Sequence, residues 1–251
     1  MSMDLSNPGA MSVETFEARM AMAATTGALW HLVMEYVRGT DIERVVYHHL
    51  PPMGAPDGDA IDVAAYGVPH DLVRRYVDER LYRENPMLQH ALRSIEPFYF
   101  DEVPLTDDIS ATQRLFVDVI RLLGFDRGLG IQVFGPHGRN GYCGLGFRAG
   151  VTRLEPEEVR SLQWTAQLAH LRYCSLLAPE QGPPPQLSKR EREVLTWVAR
   201  GKSNASIGEI LGISTHTVDA HLRRIYLKLG VFDRVSAALR GIGVGLICSA
   251  N

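Results

Sequence analysis

Cysteine is scarce in this chain of 251 residues, and its three copies, Cys143, Cys174 and Cys248, lie far apart. An odd number of cysteines without any CxxC spacing argues against a disulfide framework and against the common zinc motifs. Each cysteine has small or apolar neighbours. We therefore expect buried or incidental thiols in a reducing compartment, and the sequence predicts neither a metal site nor a cofactor.

Long apolar runs are also missing. No stretch approaches the roughly 20 residues that span a bilayer. The first residues, MSMDLSNPGAMSVETFE, lack the basic and apolar regions of a secretory signal. We expect no membrane partner and a cytoplasmic location. Hydrophobic residues make up 45% and charged residues 22% of the chain, which is typical of a globular protein with a buried core.

Positive charge is concentrated near one end of the chain. From Leu187 onward there are ten Lys or Arg and five Asp or Glu. The preceding residues include 16 Lys or Arg and 24 Asp or Glu. A proline-rich stretch, APEQGPPPQ, precedes the basic part and favours an extended spacer. We predict an N-terminal domain at 1–178, a linker at 179–186 and a C-terminal domain at 187–251. The basic balance of the last part suits a polyanion.

The N-terminal part alternates between helical and strand patterns, which predicts an α+β fold: an α/β/α sandwich with an antiparallel sheet. In the last helix, an apolar stripe favours a core position, with a dimer seam as the alternative. Its members are Val159, Leu162, Ala166, Ala169, Tyr173 and Leu176. Predicted helices cover 13–38, 70–85, 86–95, 110–124 and 155–177, and predicted strands cover 42–50, 60–68, 97–102 and two segments of 127–150.

Four short helices are predicted in the C-terminal part, giving an all-α domain. Ser188 and Glu191 form a capping-box pattern, and Asn204 and Ser214 are candidate caps of the second and third helices. Gly212 turns the chain between those two helices. Two short helices joined by a tight turn, the second with polar residues outward, are typical of a helix-turn-helix.

The third helix carries groups suited to the DNA major groove. Arg223 is suited to grip a guanine, and Asp219 to accept from a cytosine amino group. Residues near the start of the helix suit a phosphate, because its positive end lies there. An ordinary surface helix remains the alternative. The DNA-contact candidates are Lys202, Ser203, Asn204, Thr215, His216, Thr217, Asp219, Ala220, His221, Arg223, Arg224 and Lys228.

The run from 187 to 239 resembles the LuxR-type DNA-binding domain. The family pattern L-[ST]-x-R-E, G-K-[ST]-N-x-x-I, L-x-[IV]-S-x-x-T-V-x-x-H and K-L-x-V-x-x-R is matched over this length. The resemblance implies a transcriptional regulator that binds double-stranded DNA as a homodimer, with the fourth helix pairing the two copies. The matching residues are Glu191, Gly201, Lys202, Asn204, Ile207, Thr217, Val218, His221, Lys228, Leu229 and Arg234.

The N-terminal part resembles the autoinducer-binding domain of the quorum-sensing members of this family. Tyr76, Pro86 and Gly128 match residues that the family places around its ligand. The resemblance implies a small-molecule signal, with an acyl-homoserine lactone as the family's ligand. Leu72, Asn85 and Phe100 stand where the family has a Trp, an Asp and a second Trp.

These three replacements differ in their expected effect on a ligand. Phe100 keeps an aromatic wall, and Asn85 keeps a carbonyl oxygen but loses the charge, so its bond to a ligand amide weakens by about half. Leu72 has no donor, and a buried ligand carbonyl without a partner costs about 1–3 kcal/mol, or roughly 5- to 150-fold in affinity. Tyr66 and His70 are alternative donors. We expect a more apolar or aromatic ligand, or none.

Other chemistries have weaker support. Asp107 and Asp108 are similar to the acidic pair of phospho-receiver domains, but no run of parallel strands surrounds them. His48 and His49 are adjacent, so on a strand they point to opposite faces and cannot share one metal ion. No G-x-S-x-G motif is present, and we predict that the chain is not an enzyme. Three hypotheses remain: a ligand-gated regulator, a ligand-independent orphan regulator, and a small-molecule enzyme tethered to a DNA reader.

Overall fold

A five-stranded antiparallel sheet forms the centre of the N-terminal part. The computed structural model describes residues 11–58, 61–104, 110–178 and 185–247. The strands are β1 (Ile42–Leu50), β2 (Asp62–Tyr66), β3 (Phe98–Tyr99), β4 (Gly128–Val133) and β5 (Asn140–Phe147). Their order in the sheet is β2-β1-β5-β4-β3. In β1, His48 pairs with Tyr142 and His49 with Gly141, so successive side chains of this strand point to opposite faces.

Helices cover both faces of this sheet. They are α1 (Val13–Met22), α2 (Thr26–Val37), α3 (His70–Asp78), α4 (Pro86–Ala91), α5 (Ala111–Leu122) and α6 (Pro156–Leu177). Phe16, Leu32 and Leu162 from α1, α2 and α6 pack into the main apolar core with the sheet. On the other face, Met87 of α4 packs with Phe125 in a second apolar cluster. The predicted α/β/α sandwich is confirmed.

The six apolar positions predicted on α6 all belong to the core. Leu162 and Tyr173 are buried, and the other four pack against the apolar clusters between α6 and the sheet. Packing in the core therefore explains why these six positions are apolar. Trp164 and Leu171 lie outside the stripe and are exposed.

Two predicted helices are interrupted in the structure. The segment 13–38 contains two helices, because Thr25 accepts a hydrogen bond from the Ala28 N–H at 3.1 Å and starts α2 anew. The segment 70–85 breaks at Arg80, whose φ of 55° lies in the left-handed region, and continues as a 3₁₀ turn at Leu81–Glu84. Apolar spacing alone does not show such interruptions.

The C-terminal part contains α7 (Lys189–Ala199), α8 (Asn204–Leu211), α9 (Thr215–Leu229) and α10 (Arg234–Gly243). The predicted capping box of Ser188 and Glu191 is present at the start of α7. Ser203, and not Asn204, caps α8: the Ser203 hydroxyl accepts from the Ser206 N–H, and Asn204 is already helical. Gly212 ends α8 with a φ of 64°, a conformation that glycine adopts without strain. These helices enclose an apolar core of their own.

The chain divides into two units. One contains residues up to 50, 61–136 and 140–177, and the second contains the C-terminal helices together with the short segments 51–60 and 137–139. Most of the predicted linker, the pair Asp107 and Asp108, and Cys248 lie outside the described residues. Within the described ranges, no helix combines the length and apolar character needed to cross a membrane.

Candidate functional site

A cavity of about 340 Å³ lies between one face of the sheet and the helices α3, α4 and α5. This volume is within the range of small-molecule sites. Most of its wall is apolar, with contributions from Val46 and Ala65 of the sheet and from Phe116 of α5. At its edge, Arg75 and Glu79 of α3 form an ion pair with an N–O distance of 2.9 Å. The cavity thus offers an apolar interior with charge at the margin.

A hydrogen-bonded group inside the cavity is centred on Tyr76. The Tyr76 hydroxyl lies 2.9 Å from His48 Nε2 and accepts a 2.9 Å hydrogen bond from the Asn85 side-chain amide. Burial lowers the pKa of His48 from 6.5 to about 4, so this imidazole is neutral at pH 7. Burial also raises the pKa of Tyr76. The group is therefore polar but uncharged.

Asn85 has a structural task that the sequence did not reveal. Its Oδ1 accepts hydrogen bonds from the backbone N–H groups of Met87 and Leu88, at 3.0 and 3.2 Å, and so caps α4. Both lone pairs of this oxygen are engaged within the protein. The expectation that it accepts from a ligand amide is therefore not supported.

The other predicted ligand residues divide into two groups. Leu72 and Phe100 line the cavity together with Tyr76 and Asn85. Tyr66 and His70 do not line it: Tyr66, at the end of β2, is 37% exposed, and His70 is the exposed first residue of α3. Neither is therefore placed to supply the donor that Leu72 lacks.

Gly128 also lies outside the cavity wall. A Cβ at this position would lie 2.5 Å from a ring carbon of Phe100 and 2.4 Å from the Leu145 carbonyl oxygen. Glycine at 128 thus allows the Phe100 ring to pack over β4. In the structure, Gly128 makes room for this aromatic wall.

Sequence reasoning missed several cavity residues, among them His48, Phe116 and Tyr142. His48 and Tyr142 pair across β1 and β5, and their ring centroids lie 5.4 Å apart. The ring centroid of Phe116, on α5, lies 5.8 Å from that of Tyr76. The alternation along β1 places Val46 and His48 on one face, but the sequence does not show which helices enclose a cavity over that face.

The second candidate site is the helix-turn-helix formed by α8 and α9. Its predicted DNA-contact residues differ in their exposure to solvent. Those that are exposed are Lys202, Ser203, Thr215, His216, Arg223, Arg224 and Lys228. Those that are half-buried are Asn204, Thr217, Asp219, Ala220 and His221. Ser214 caps α9 by accepting from the Thr217 N–H at 3.1 Å.

Arg223 and Asp219 are brought together one turn apart on α9. Their ion pair has an N–O distance of 2.8 Å, and the Arg223 side chain is 76% exposed. The guanidinium is therefore held over the outer surface of the helix by a weak, solvent-exposed pair. A base edge can replace that carboxylate as its partner.

Lys228 and Asn204 have partners inside the unit, which weakens their assignment as DNA contacts. The Lys228 ammonium donates to Glu191 at 2.7 Å, and the Glu191 carboxylate is almost fully buried. Asn204 Oδ1 accepts from Arg234 at 3.0 Å, and Arg234 also donates to the Lys202 carbonyl oxygen. These contacts join α7 to α9, and α8 to the start of α10.

Two family models match the chain. The autoinducer-binding domain matches residues 25–173, and the luxR family of bacterial regulatory proteins matches residues 185–240. The transcriptional activator protein SolR of Ralstonia nicotianae is 37% identical over 138 residues, which span 53% of this chain and 58% of SolR. The regulator RpaR of Rhodopseudomonas palustris is 27% identical over 183 residues, which span 73% of this chain and 74% of RpaR.

A solved structure has the same fold. The crystal structure of Escherichia coli SdiA superimposes with a TM-score of 0.68 at 22% identity, covering 94% of this chain and 98% of SdiA. The luxR family model and SolR describe transcriptional regulators, which agrees with the prediction that the chain is not an enzyme. Together, the cavity beneath the sheet, the helix-turn-helix and both family models place this chain in the LuxR family of bacterial regulatory proteins, with an N-terminal autoinducer-binding domain.

Proposed function

We propose that this chain is a ligand-responsive transcription regulator. In the proposal, residues 1–178 bind a small signal molecule, residues 179–186 link the parts, and residues 187–251 bind double-stranded DNA as a homodimer. The cavity carries the proposal, because a largely apolar space with one uncharged polar group is suited to an amphiphilic small molecule. The exposed polar face of α9 supports the DNA partner.

The cavity also limits the chemistry of the ligand. Leu72 offers no hydrogen bond, and the Asn85 oxygen is already engaged with α4. The Tyr76 hydroxyl is then the contact for a single polar head, and an acyl or aromatic tail fills the apolar remainder. SdiA in complex with octanoyl-rac-glycerol, a match with a TM-score of 0.67, supports such a ligand with an acyl chain and hydroxyl groups.

Mass spectrometry of small molecules extracted from the full chain, purified from its native host, tests the ligand. Adjacent residues of β2 offer a matched pair of variants. Ala65 lines this cavity, whereas Ala64 points to the opposite face. Ala65→Leu narrows the proposed site, so the extracted molecule should be lost from this variant and retained by Ala64→Leu.

The alternative is a ligand-independent regulator. If neither the original chain nor Ala64→Leu yields a bound molecule, while the chain still selects a specific DNA site, the orphan hypothesis is favoured. Retention of the molecule by Ala65→Leu and loss from Ala64→Leu would place the ligand elsewhere. Chemical conversion of the molecule by the purified chain would instead favour the tethered enzyme.

A DNA-selection experiment tests the partner and the dimer together. A homodimer should select a two-fold-related site whose half-sites are centred about one helical turn apart. Selection of a single half-site, or of no sequence, would contradict this part of the proposal.

A further inference from the structure

Three potential metal ligands meet on the face of the sheet opposite to Tyr76. His49 comes from β1, and His170 and Cys174 lie one turn apart on α6. Their exposed fractions are 2%, 1% and 5%. One ligand atom from each residue lies within 4.8 Å of those of the other two. The cluster thus joins a central strand to the helix that packs on it.

The geometry of His170 suits metal binding. Its Nδ1 lies 2.8 Å from the Tyr47 hydroxyl, and its Nε2 lies 3.6 Å from Cys174 Sγ. When Nδ1 carries the proton and donates to Tyr47, the Nε2 lone pair is directed towards the sulfur. A hydrogen bond of this kind orients most metal-bound histidines. In a tetrahedral zinc site, nitrogen and sulfur ligands are about 3.5 Å apart, close to the observed separation.

The sheet makes room for this cluster. Gly141 pairs with His49 across β1 and β5, and a Cβ at Gly141 would lie 3.0 Å from His170 Nδ1. A larger residue would therefore displace the His170 ring. The three ligand atoms lie within 4.8 Å of one another, so the side chains need a further approach to reach the separations of a zinc site.

A second cavity, of about 290 Å³, reaches the cluster at His170. It is lined by His170, Tyr47 and Tyr173, and by Asp62, an exposed residue that pairs with His49 across β1 and β2. Tyr173 donates a 2.5 Å hydrogen bond to Asp62. The carboxylate favours approach of a cation, and the cavity has room for a water molecule as a fourth ligand.

We propose that His49, His170 and Cys174 form a binding site for Zn²⁺ or a similar borderline-soft divalent cation. Two imidazoles and one thiolate are a ligand set that zinc prefers, with water in the fourth position. On binding, the Cys174 thiol releases its proton to solvent, and both imidazoles bind in their neutral form. The bound ion would fasten α6 to the sheet.

Cobalt binding to the full chain tests the site. Co²⁺ bound by a thiolate shows charge-transfer absorption in the near ultraviolet, which an S–H···N hydrogen bond does not produce. We expect about one equivalent of Co²⁺, displaced by Zn²⁺, and a rise in melting temperature of roughly 5–10 °C at 100 times the dissociation constant. Cys174→Ala should abolish the band, and His49→Gln should weaken binding at least about 10-fold.

Cys143 provides the matched control, because it is also buried beside this cavity but is not part of the cluster. Cys143→Ala should keep the band and the stoichiometry. If Cys174→Ala fails to fold, alkylation of the original chain tests the site: Zn²⁺ should slow the reaction of Cys174 more than that of Cys143. Absence of the band in the folded original chain, or equal protection of both thiols, would overturn the proposal.

Discussion

At the scale of single residues, Asn85 shows how one substitution redistributes hydrogen bonds. Its amide donates to the Tyr76 hydroxyl while its oxygen caps α4. An aspartate at this position has two equivalent acceptors, so one oxygen continues to cap the helix while the second accepts from another donor. The Asn85 side chain thus makes its hydrogen bonds within the fold.

The pair Leu72 and Asn85 leads to a first prediction. Common acyl-homoserine lactones should not raise the melting temperature of the original chain at micromolar concentration, because no donor is placed for the lactone carbonyl. Leu72→Trp combined with Asn85→Asp supplies a donor and a charged acceptor, and should produce a dose-dependent rise. Thermal scans with and without lactone measure both. A clear rise with the original chain would show that a different group supplies the donor.

Arg223 leads to a second prediction. Because its guanidinium is exposed and paired weakly with Asp219, Arg223→Ala should relax base preference at one position, at a cost of about 1–3 kcal/mol. Lys202→Ala should instead weaken all DNA sequences alike and reduce the salt slope by about one ion. Selection from randomised DNA at several salt concentrations measures both effects. If Arg223→Ala keeps the same base preference, Arg223 does not contact a base.

At the scale of elements, a buried carboxylate connects α7 to α9. Burial raises the pKa of Glu191, but hydrogen bonds from Lys228 and Ser188 outweigh that effect and hold the pKa below its usual 4.5. Because the folded pKa is lower than the unfolded one, the stabilisation is complete above about pH 4.5 and is lost as pH falls through the folded pKa.

Lys228→Met leads to a third prediction. It keeps the aliphatic stem but leaves the buried carboxylate without its cation, and should cost the C-terminal unit about 1–2 kcal/mol, less than for a fully buried pair because Lys228 is partly exposed. For a domain of this size the melting temperature should fall by roughly 4–16 °C. The acid sensitivity below pH 4.5 should also diminish. Arg224→Met, on the exposed side of α9, is the control and should change stability little.

At the scale of the whole molecule, the chain contains separate apolar cores. The C-terminal core is built from residues between Leu187 and Ile247, whereas the sheet and its helices supply the others. Separate cores favour separate unfolding transitions, so one midpoint does not describe the chain.

Calorimetry tests a fourth prediction. The original chain should unfold in two transitions, and the fragment 185–251 alone should reproduce one of them. A ligand at 100 times its dissociation constant should stabilise the other by about 2.7 kcal/mol, or roughly 5–10 °C, and leave the C-terminal transition unchanged. A single transition that shifts as a whole with ligand would contradict this independence.

Local signals were sufficient for much of the fold. The capping box of Ser188 and Glu191 and the turn at Gly212 are encoded by neighbouring residues, so α7, α8 and α9 were predictable. The alternation in β1 likewise predicted that His48 and His49 point to opposite faces. The break before Thr25 was missed, because a threonine within a helical pattern competes only weakly with the apolar spacing around it.

The sequence by itself determined the family, the sandwich and the helix-turn-helix. The spacing of apolar residues, the helix caps and the LuxR-type motif can all be identified along the chain. Only the tertiary structure decided that His48, Tyr142 and Phe116 line one cavity with Tyr76, and that Lys228 binds Glu191. The i, i+4 spacing of His170 and Cys174 was visible in the chain, but His49 lies more than a hundred residues away. Contacts between residues so distant in sequence depend on strand register and helix packing, which no local pattern specifies.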